Sequence, residues 1–274
     1  MTHPWSDWIP GVLNRRQTKI LCAEALFTIE PDSIDKAVDN SAVDLSLSDQ
    51  GYEMIHGSLK PDGSRPYIYF LNKKDLARRL VPEDDGSYVL TRKKTYIFKI
   101  REHLERDLGR IGVYGQATAK SSVGRVDVLA RLIVDGMNTY ESFDPSGLER
   151  QSGEMYLEIT PITFNVRVRP GISLSQLRLF YGNPKDAEIR GPELYKTVFK
   201  GSDFSTDGGL AVDLNNTQIG GIEASAFCAE EPREEVVIQL WDENAAGSPC
   251  PYWKLKYSKP ARGLEIEPDH CCPV

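Results

Sequence analysis

Hydrophobic and polar positions alternate with period two through most of the first two thirds of the chain. Val43, Leu45 and Leu47 interleave with polar residues, and Tyr96, Phe98 and Ile100 interleave with Ile97 and Lys99. The same alternation recurs at Val126–Val134, at Met155–Thr160, at Val166 and Val168 between Arg167 and Arg169, and at Leu174–Phe180. These runs predict strands. Asp84-Asp85-Gly86, Asp144-Pro145-Ser146-Gly147 and Arg169-Pro170-Gly171 lie between them and carry turn chemistry. Helical spacing is confined to two stretches, an amphipathic helix expected over Asn14–Phe27 and a short one over Lys73–Leu80. Many short strands without alternating helices predict a mainly β fold, an antiparallel barrel or sandwich rather than a parallel sheet.

Around Tyr181–Gly209 the apolar pattern thins and Gly182-Asn183-Pro184, Gly191-Pro192 and Thr206-Asp207-Gly208-Gly209 cluster, which suggests a boundary. We expect one module over residues 1–190, then a linker and a partial second β unit over 191–274 with strands at Leu210–Leu214, Val236–Trp241 and Tyr252–Tyr257. The length of 274 residues fits, at about 1.8 typical domains. Ala-Val-Asp-Leu occurs twice, at Ala42–Leu45 and Ala211–Leu214, too short an echo to establish a repeat.

Composition narrows the function classes. With 40% hydrophobic and 27% charged residues the chain reads as an ordinary globular protein. No stretch approaches the roughly 18 uncharged apolar residues of a membrane span, and Met1–Pro10 lacks the pattern of a signal peptide, so a cytoplasmic protein with no membrane partner is expected. A net charge of −7 argues against a sequence-independent grip on nucleic acid. A small phosphorylated ligand needs only a few local cations. Five cysteines, Cys22, Cys228, Cys250, Cys271 and Cys272, have no framework spacing and read as reduced thiols; the Asp269-His270-Cys271-Cys272 ending is a weak metal candidate because adjacent cysteines lack the usual separation.

Three segments can carry chemistry. Gly115–Arg125 places Lys120, Ser121, Ser122 and Arg125 within six positions, donors and charges that suit polyphosphate oxygens, although the glycine spacing of a Walker A loop is absent. The same residues also suit a polar turn with a solvated lysine. In Gly153–Pro161, Met155, Leu157 and Ile159 share one strand face and Glu158 stands on the other, as a solvent-facing carboxylate or, if that face lines a cleft, as a general base. Arg169–Leu177 is a turn feeding a strand that carries the amide of Gln176, which can both donate and accept.

In order and spacing, Ala119–Arg125, Tyr156-Leu157-Glu158 and Arg169-Pro170-Gly171 with Ser175-Gln176-Leu177 resemble the dCTP deaminase family of the dUTPase-like superfamily. Gly11-Val12-Leu13, Ser41–Leu47 and Tyr88-Val89-Leu90 leading into Tyr96-Ile97-Phe98 resemble that family's opening, so the likeness runs from residue 11 to about 181.

The resemblance implies a distorted antiparallel β-barrel with a few short helices, assembled as a homotrimer with sites between subunits, that converts dCTP to dUTP and ammonia. It implies Glu158 as the catalytic base, with Ser121 and Arg125 positioning water and the tetrahedral centre. Lys120, Ser121, Ser122, Arg125, Asp144 and Gln176 fall on nucleotide-binding positions. Magnesium would arrive on the triphosphate, and no metal would sit at the reacting carbon. His103-Leu104-Glu105 resembles the H-x-E of zinc deaminases, but Pro249-Cys250-Pro251 does not complete their P-C-x-x-C.

Met137–Gln151 reads as additional loop relative to short family members. Ile133-Val134 stands where the family has a pocket-lining Thr-Ala, and Tyr195-Lys196 and Lys200 are weak candidates for the lid over the triphosphate. Gly263–Asp269 resembles a piece of a second module, which lacks a second set of serine, arginine and glutamate. The rival readings are dUTP pyrophosphatase activity, alone or coupled to deamination, against which the missing glycine-rich uracil hairpin weighs, and a catalytically silent nucleotide-binding module.

Overall fold

The computed structural model describes residues 3–151, 153–183, 215–219, 221–229, 237–241, 253–256 and 271–273. The predicted strands at Leu210–Leu214, the segment Gly263–Asp269, the lid candidates Tyr195, Lys196 and Lys200, and His270 lie outside these residues.

In chain order the first elements are β1 (Gly11–Val12), α1 (Arg15–Ala23), β2 (Phe27–Thr28), α2 (Ile34–Ala37), β3 (Val43–Met54), α3 (Ile68–Leu71), β4 (Ala77–Arg79), β5 (Tyr88–Leu90), β6 (Tyr96–Ile100) and β7 (His103–Leu104). They are followed by α4 (Arg106–Arg110), β8 (Val113–Ala119), α5 (Ser121–Gly124), β9 (Val128–Val134), β10 (Ser142–Phe143), α6 (Pro145–Arg150), β11 (Met155–Pro161), β12 (Asn165–Val168) and β13 (Ser173–Tyr181). The remaining strands are β14 (Thr217–Ile219), β15 (Ile222–Ala224), β16 (Ala226–Ala229), β17 (Val237–Gln239), β18 (Trp253–Lys256) and β19 (Cys271–Pro273).

The fold is mainly β and antiparallel, as the alternation predicts. One nine-stranded sheet runs in the order β10-β8-β13-β3-β6-β11-β9, with β1 added to β13 and β4 to β3. Its two ends approach each other, giving a nearly closed barrel. The join is made by the backbone of Glu141, whose N–H donates to the Leu132 carbonyl of β9 at 2.8 Å while its carbonyl accepts from Ala117 of β8 at 2.7 Å. Glu141 takes φ +63° to reach both.

Strand alternation sorts side chains into two cores. Leu45, Leu47, Phe98, Ile100, Ala130, Leu132, Leu157, Ile159, Leu177 and Leu179 point into the main one. The opposite face of β3, β6, β9 and β11 supplies Tyr52, Met54, Ile97, Ile133 and Tyr156 to a second, smaller core, closed by Tyr67 and Leu71 at α3 and by Ala77. Removing these side chains from water stabilises both layers at about 25 cal/mol per Å² of apolar surface.

Helix α1 forms inside the predicted stretch Asn14–Phe27 but stops at Ala23, with Ala25 at φ +54° and Phe27 already in β2. Asn14 caps it, its side chain accepting from the Gln17 amide at 3.1 Å while Gln17 reaches back to the Asn14 N–H at 3.0 Å. The stretch Lys73–Leu80 is not helical. Its residues Ala77–Arg79 pair with Met54–Tyr52 as β4, and the helix falls earlier, at α3. Pairing to an open strand edge outweighs the helical spacing there. Met137–Gln151 is likewise built rather than loose, with β10 paired to β8 and Asp144-Pro145 opening α6 instead of a turn. Gly115 makes the β8–β10 pair possible, since a Cβ there would stand 2.0 Å from the Phe143 ring.

The chain divides into two compact units, residues 1–186 with 237–242, and 187–236 with 243–274. In the first, β17 extends the pair β5-β12 in parallel with β12. In the second, β14 pairs with β15, and β16 lies between β18 and β19.

Candidate active site

Glu158 stands on β11 between Leu157 and Ile159, so alternation turns it away from the main core, towards the face shared by Tyr156. It is not a solvent-facing carboxylate: 1% of it is exposed. Antiparallel register sets it directly opposite Arg131 of β9. The Arg131 guanidinium donates to Glu158 Oε1 through Nε at 3.0 Å and again through Nη2. The Ser58 hydroxyl, from the connection after β3, donates to the same oxygen at 3.2 Å. Oε2 accepts from the Tyr140 hydroxyl at 3.2 Å. Tyr140 also lays its ring on the arginine, with Cζ 4.0 Å from the ring centroid.

The surroundings fix the charges of these partners. Burial works against the Arg131 charge, but Glu158 outweighs it and raises the guanidinium above its already high range. Burial, the adjacent Glu158 charge and the hydrogen bond it donates push the Tyr140 phenol up to about 12, so it remains a donor at neutral pH. A carboxylate in such a setting keeps lone pairs on Oε2, where only the Tyr140 hydroxyl bonds to it among the described residues.

A second cluster lies where β3, β8 and β13 run side by side. Lys120, the residue before α5, donates to Asp44 Oδ2 at 2.6 Å, and the Gln176 amide donates to Asp44 Oδ1 at 3.1 Å. Gln176 pairs in register with both Asp44 and Thr118. Two of the predicted nucleotide contacts thus converge on one carboxylate that the motifs did not single out.

Ser121, Ser122 and Arg125 occupy α5 and its C-terminal end, where all three are exposed. No side-chain hydrogen bond among the described residues joins them to Glu158 or to Asp44. Asp144 caps α6, its Oδ1 accepting from the Gly147 amide at 2.9 Å and the Ser146 hydroxyl at 2.6 Å. Burial opposes its charge, yet those two donors hold its carboxyl below the usual range. Ile133 and Val134 do not line an opening, because both are fully buried, one in each core.

Among the described residues no group of three or more His, Cys, Asp and Glu side chains stands close enough together to hold a metal ion. His103 of the H-x-E segment lies between carboxylates, with Nε2 3.7 Å from Glu105 and Nδ1 3.6 Å from Glu154. Among the described residues no helix is long and apolar enough to cross a membrane.

Arg131, Ser58 and Tyr140 escape motif reading. The available signal is a single arginine on the polar face of one predicted strand and a single glutamate on the polar face of the next, a pattern of cross-strand charge pairing.

Comparison with known proteins places this architecture in a class. The family model of the 2'-deoxycytidine 5'-triphosphate deaminase N-terminal domain matches residues 9–183, well over half of the sequence. The chain belongs to the dCTP deaminase family. Among solved structures, 2'-deoxycytidine 5'-triphosphate deaminase from Agrobacterium tumefaciens is similar with a TM-score of 0.72 and 22% identity, over 91% of this chain and 71% of that one. At that identity the likeness is one of fold, a dUTPase-like barrel. No curated protein matches the sequence.

Proposed function

We propose that the chain deaminates dCTP hydrolytically, giving dUTP and ammonia. The observation that carries this reading is Glu158, buried on β11 with Oε1 held by Arg131 and Ser58, in a chain whose first 183 residues match the family model almost throughout. Oε2 accepts a proton from water as its oxygen bonds to C4 of cytosine. The same proton then passes to the exocyclic nitrogen, the C4–N bond breaks, ammonia leaves, and the remaining hydroxyl proton moves to N3 to give the uracil ring. One such base contributes about 10²–10⁴-fold, so orientation and charge stabilisation supply the rest. Ser121 and Arg125 would position the water and the tetrahedral centre, needing no metal at C4.

Lys120, Ser121, Ser122, Arg125, Asp144 and Gln176 would hold the nucleotide. Lys120 and the exposed hydroxyls of α5 suit a triphosphate that brings its own magnesium, held by phosphate oxygens. The homotrimer is what the family resemblance implies, and the exposure of Ser121, Ser122 and Arg125 leaves them accessible to a neighbouring copy's site.

Product analysis tests the reading. Purified protein with dCTP and magnesium should accumulate dUTP and ammonia in equal amounts, from a species of trimeric mass by light scattering. Formation of dUMP and pyrophosphate from dUTP would replace it with a pyrophosphatase, and binding of dCTP without turnover would leave a nucleotide-binding module. A strict monomer with full activity would overturn the shared site.

A further inference from the structure

We propose that Arg131 is a positioning residue for the reaction, the clasp that holds the plane of the Glu158 carboxylate so that the oxygen turned away from Arg131 takes the proton; this rests on the deaminase reading above. Three features of the geometry carry it.

The first is that both guanidinium contacts go to one oxygen. A side-on arginine usually bonds the two oxygens of a carboxylate as a fork. Here Nε and Nη2 both donate to Oε1, and the Ser58 hydroxyl joins them, so Oε1 is filled and Oε2 is left to a single phenol. The second is the backing of the arginine itself. Its guanidinium lies against the Tyr140 ring, and its Nη2 also reaches the Ser58 hydroxyl at 3.4 Å. A planar cation packed on a ring and bound at its edge cannot follow a rotating carboxylate. Turning the Glu158 carboxylate out of this plane therefore weakens the Arg131, Ser58 and Tyr140 contacts together.

The third is the difference in exposure. The Glu158 side chain is 1% exposed and that of Arg131 is 29% exposed. The arginine is thus the more accessible partner of the pair, and the motif read around Glu158 does not contain it. Register on β9 supplies it instead.

The test is to remove the clasp and give it back. Arg131→Ala should lower kcat for ammonia release from dCTP about 10- to 100-fold and change KM by less than about threefold. Millimolar methylguanidinium, which fits the partly exposed space the side chain leaves, should restore at least about fivefold of kcat in the variant and none in wild type. A merely structural arginine gives no such rescue, so an irreversible loss, or a wild-type kcat, overturns the proposal. If Arg131→Ala does not fold, Arg131→Lys decides. Its single contact to Oε1 should lower kcat about threefold or more at unchanged KM, and an undiminished kcat refutes the clasp.

A second readout is independent of turnover. Labelling with a water-soluble carbodiimide and glycine ester, located by peptide mass spectrometry, should spare Glu158 in wild type. In folded Arg131→Ala it should mark Glu158 at least about fivefold more, and methylguanidinium should protect it again. If wild type releases no ammonia from dCTP, the functional reading falls, and this labelling alone judges the clasp: equal labelling with and without Arg131 refutes it.

Discussion

Lys120, Asp44 and Gln176 show how a residue can be legible and its circumstances not. A lysine before two serines and an arginine suits either an anion site or a polar turn in the sequence, and in the fold Lys120 already has a carboxylate partner in Asp44. A partly exposed ion pair contributes about 0–1 kcal/mol, and a triphosphate with its several charges competes with it readily. A charge-assisted contact of about 1.5–3 kcal/mol corresponds to about tenfold or more in affinity. Lys120→Met is therefore expected to raise KM for dCTP about tenfold while kcat stays within about threefold, as read from initial rates of ammonia release. An unchanged KM would remove Lys120 from the nucleotide contacts. Glu158 is legible for the same reason as Lys120, since both sit in short motifs. Its partners are not, because Arg131, Ser58 and Tyr140 lie 27, 100 and 18 positions away and meet it only through strand register and loop closure.

At the scale of elements, Asp135, the residue just after β9, ties the segment leading into α3 to the sheet by accepting from the Tyr67 amide at 2.8 Å. Burial, helped by the Glu154 charge and opposed by the Tyr67 N–H and Lys99, pushes its carboxyl up to about 6 from 3.8. The folded state thus binds this proton more tightly than the unfolded state does. The stabilisation is complete below about pH 4 and is lost as pH rises through about 6, at most about 3 kcal/mol in all. Asp135→Asn keeps an acceptor for Tyr67 without the charge. Its melting temperature relative to wild type should be higher at about pH 7.5 than at about pH 5, and a difference that does not vary with pH would contradict the account. The elements themselves divide by what their residues can disclose. Strands with strict alternation, such as β3, β9, β11 and β13, fall where the pattern puts them. Lys73–Leu80 misleads because its spacing suits a helix while the free edge of β3 takes Ala77–Arg79 as a strand. The order in Met137–Gln151 is hidden too, since it depends on Gly115 admitting the Phe143 ring and on Asp144 capping α6.

Over the whole molecule, a mainly β, antiparallel fold follows from the repeated alternation, whereas the near-closure of the barrel depends on one residue at positive φ, Glu141, bonding β8 and β9 at once. That closure matters for the site because it brings the preceding residue, Tyr140, over Arg131 and onto Glu158. Sheet order, barrel closure and the charge pair on β9 and β11 therefore converge on the same carboxylate. The most direct test of its role compares ammonia release in a single turnover of dCTP by wild type and by Glu158→Gln, with dCTP affinity measured on both. The glutamine keeps an acceptor for Arg131 but takes no proton, so the rate should fall by about 10²-fold or more while affinity stays within about fivefold. Release of ammonia by Glu158→Gln at the wild-type rate would contradict the account.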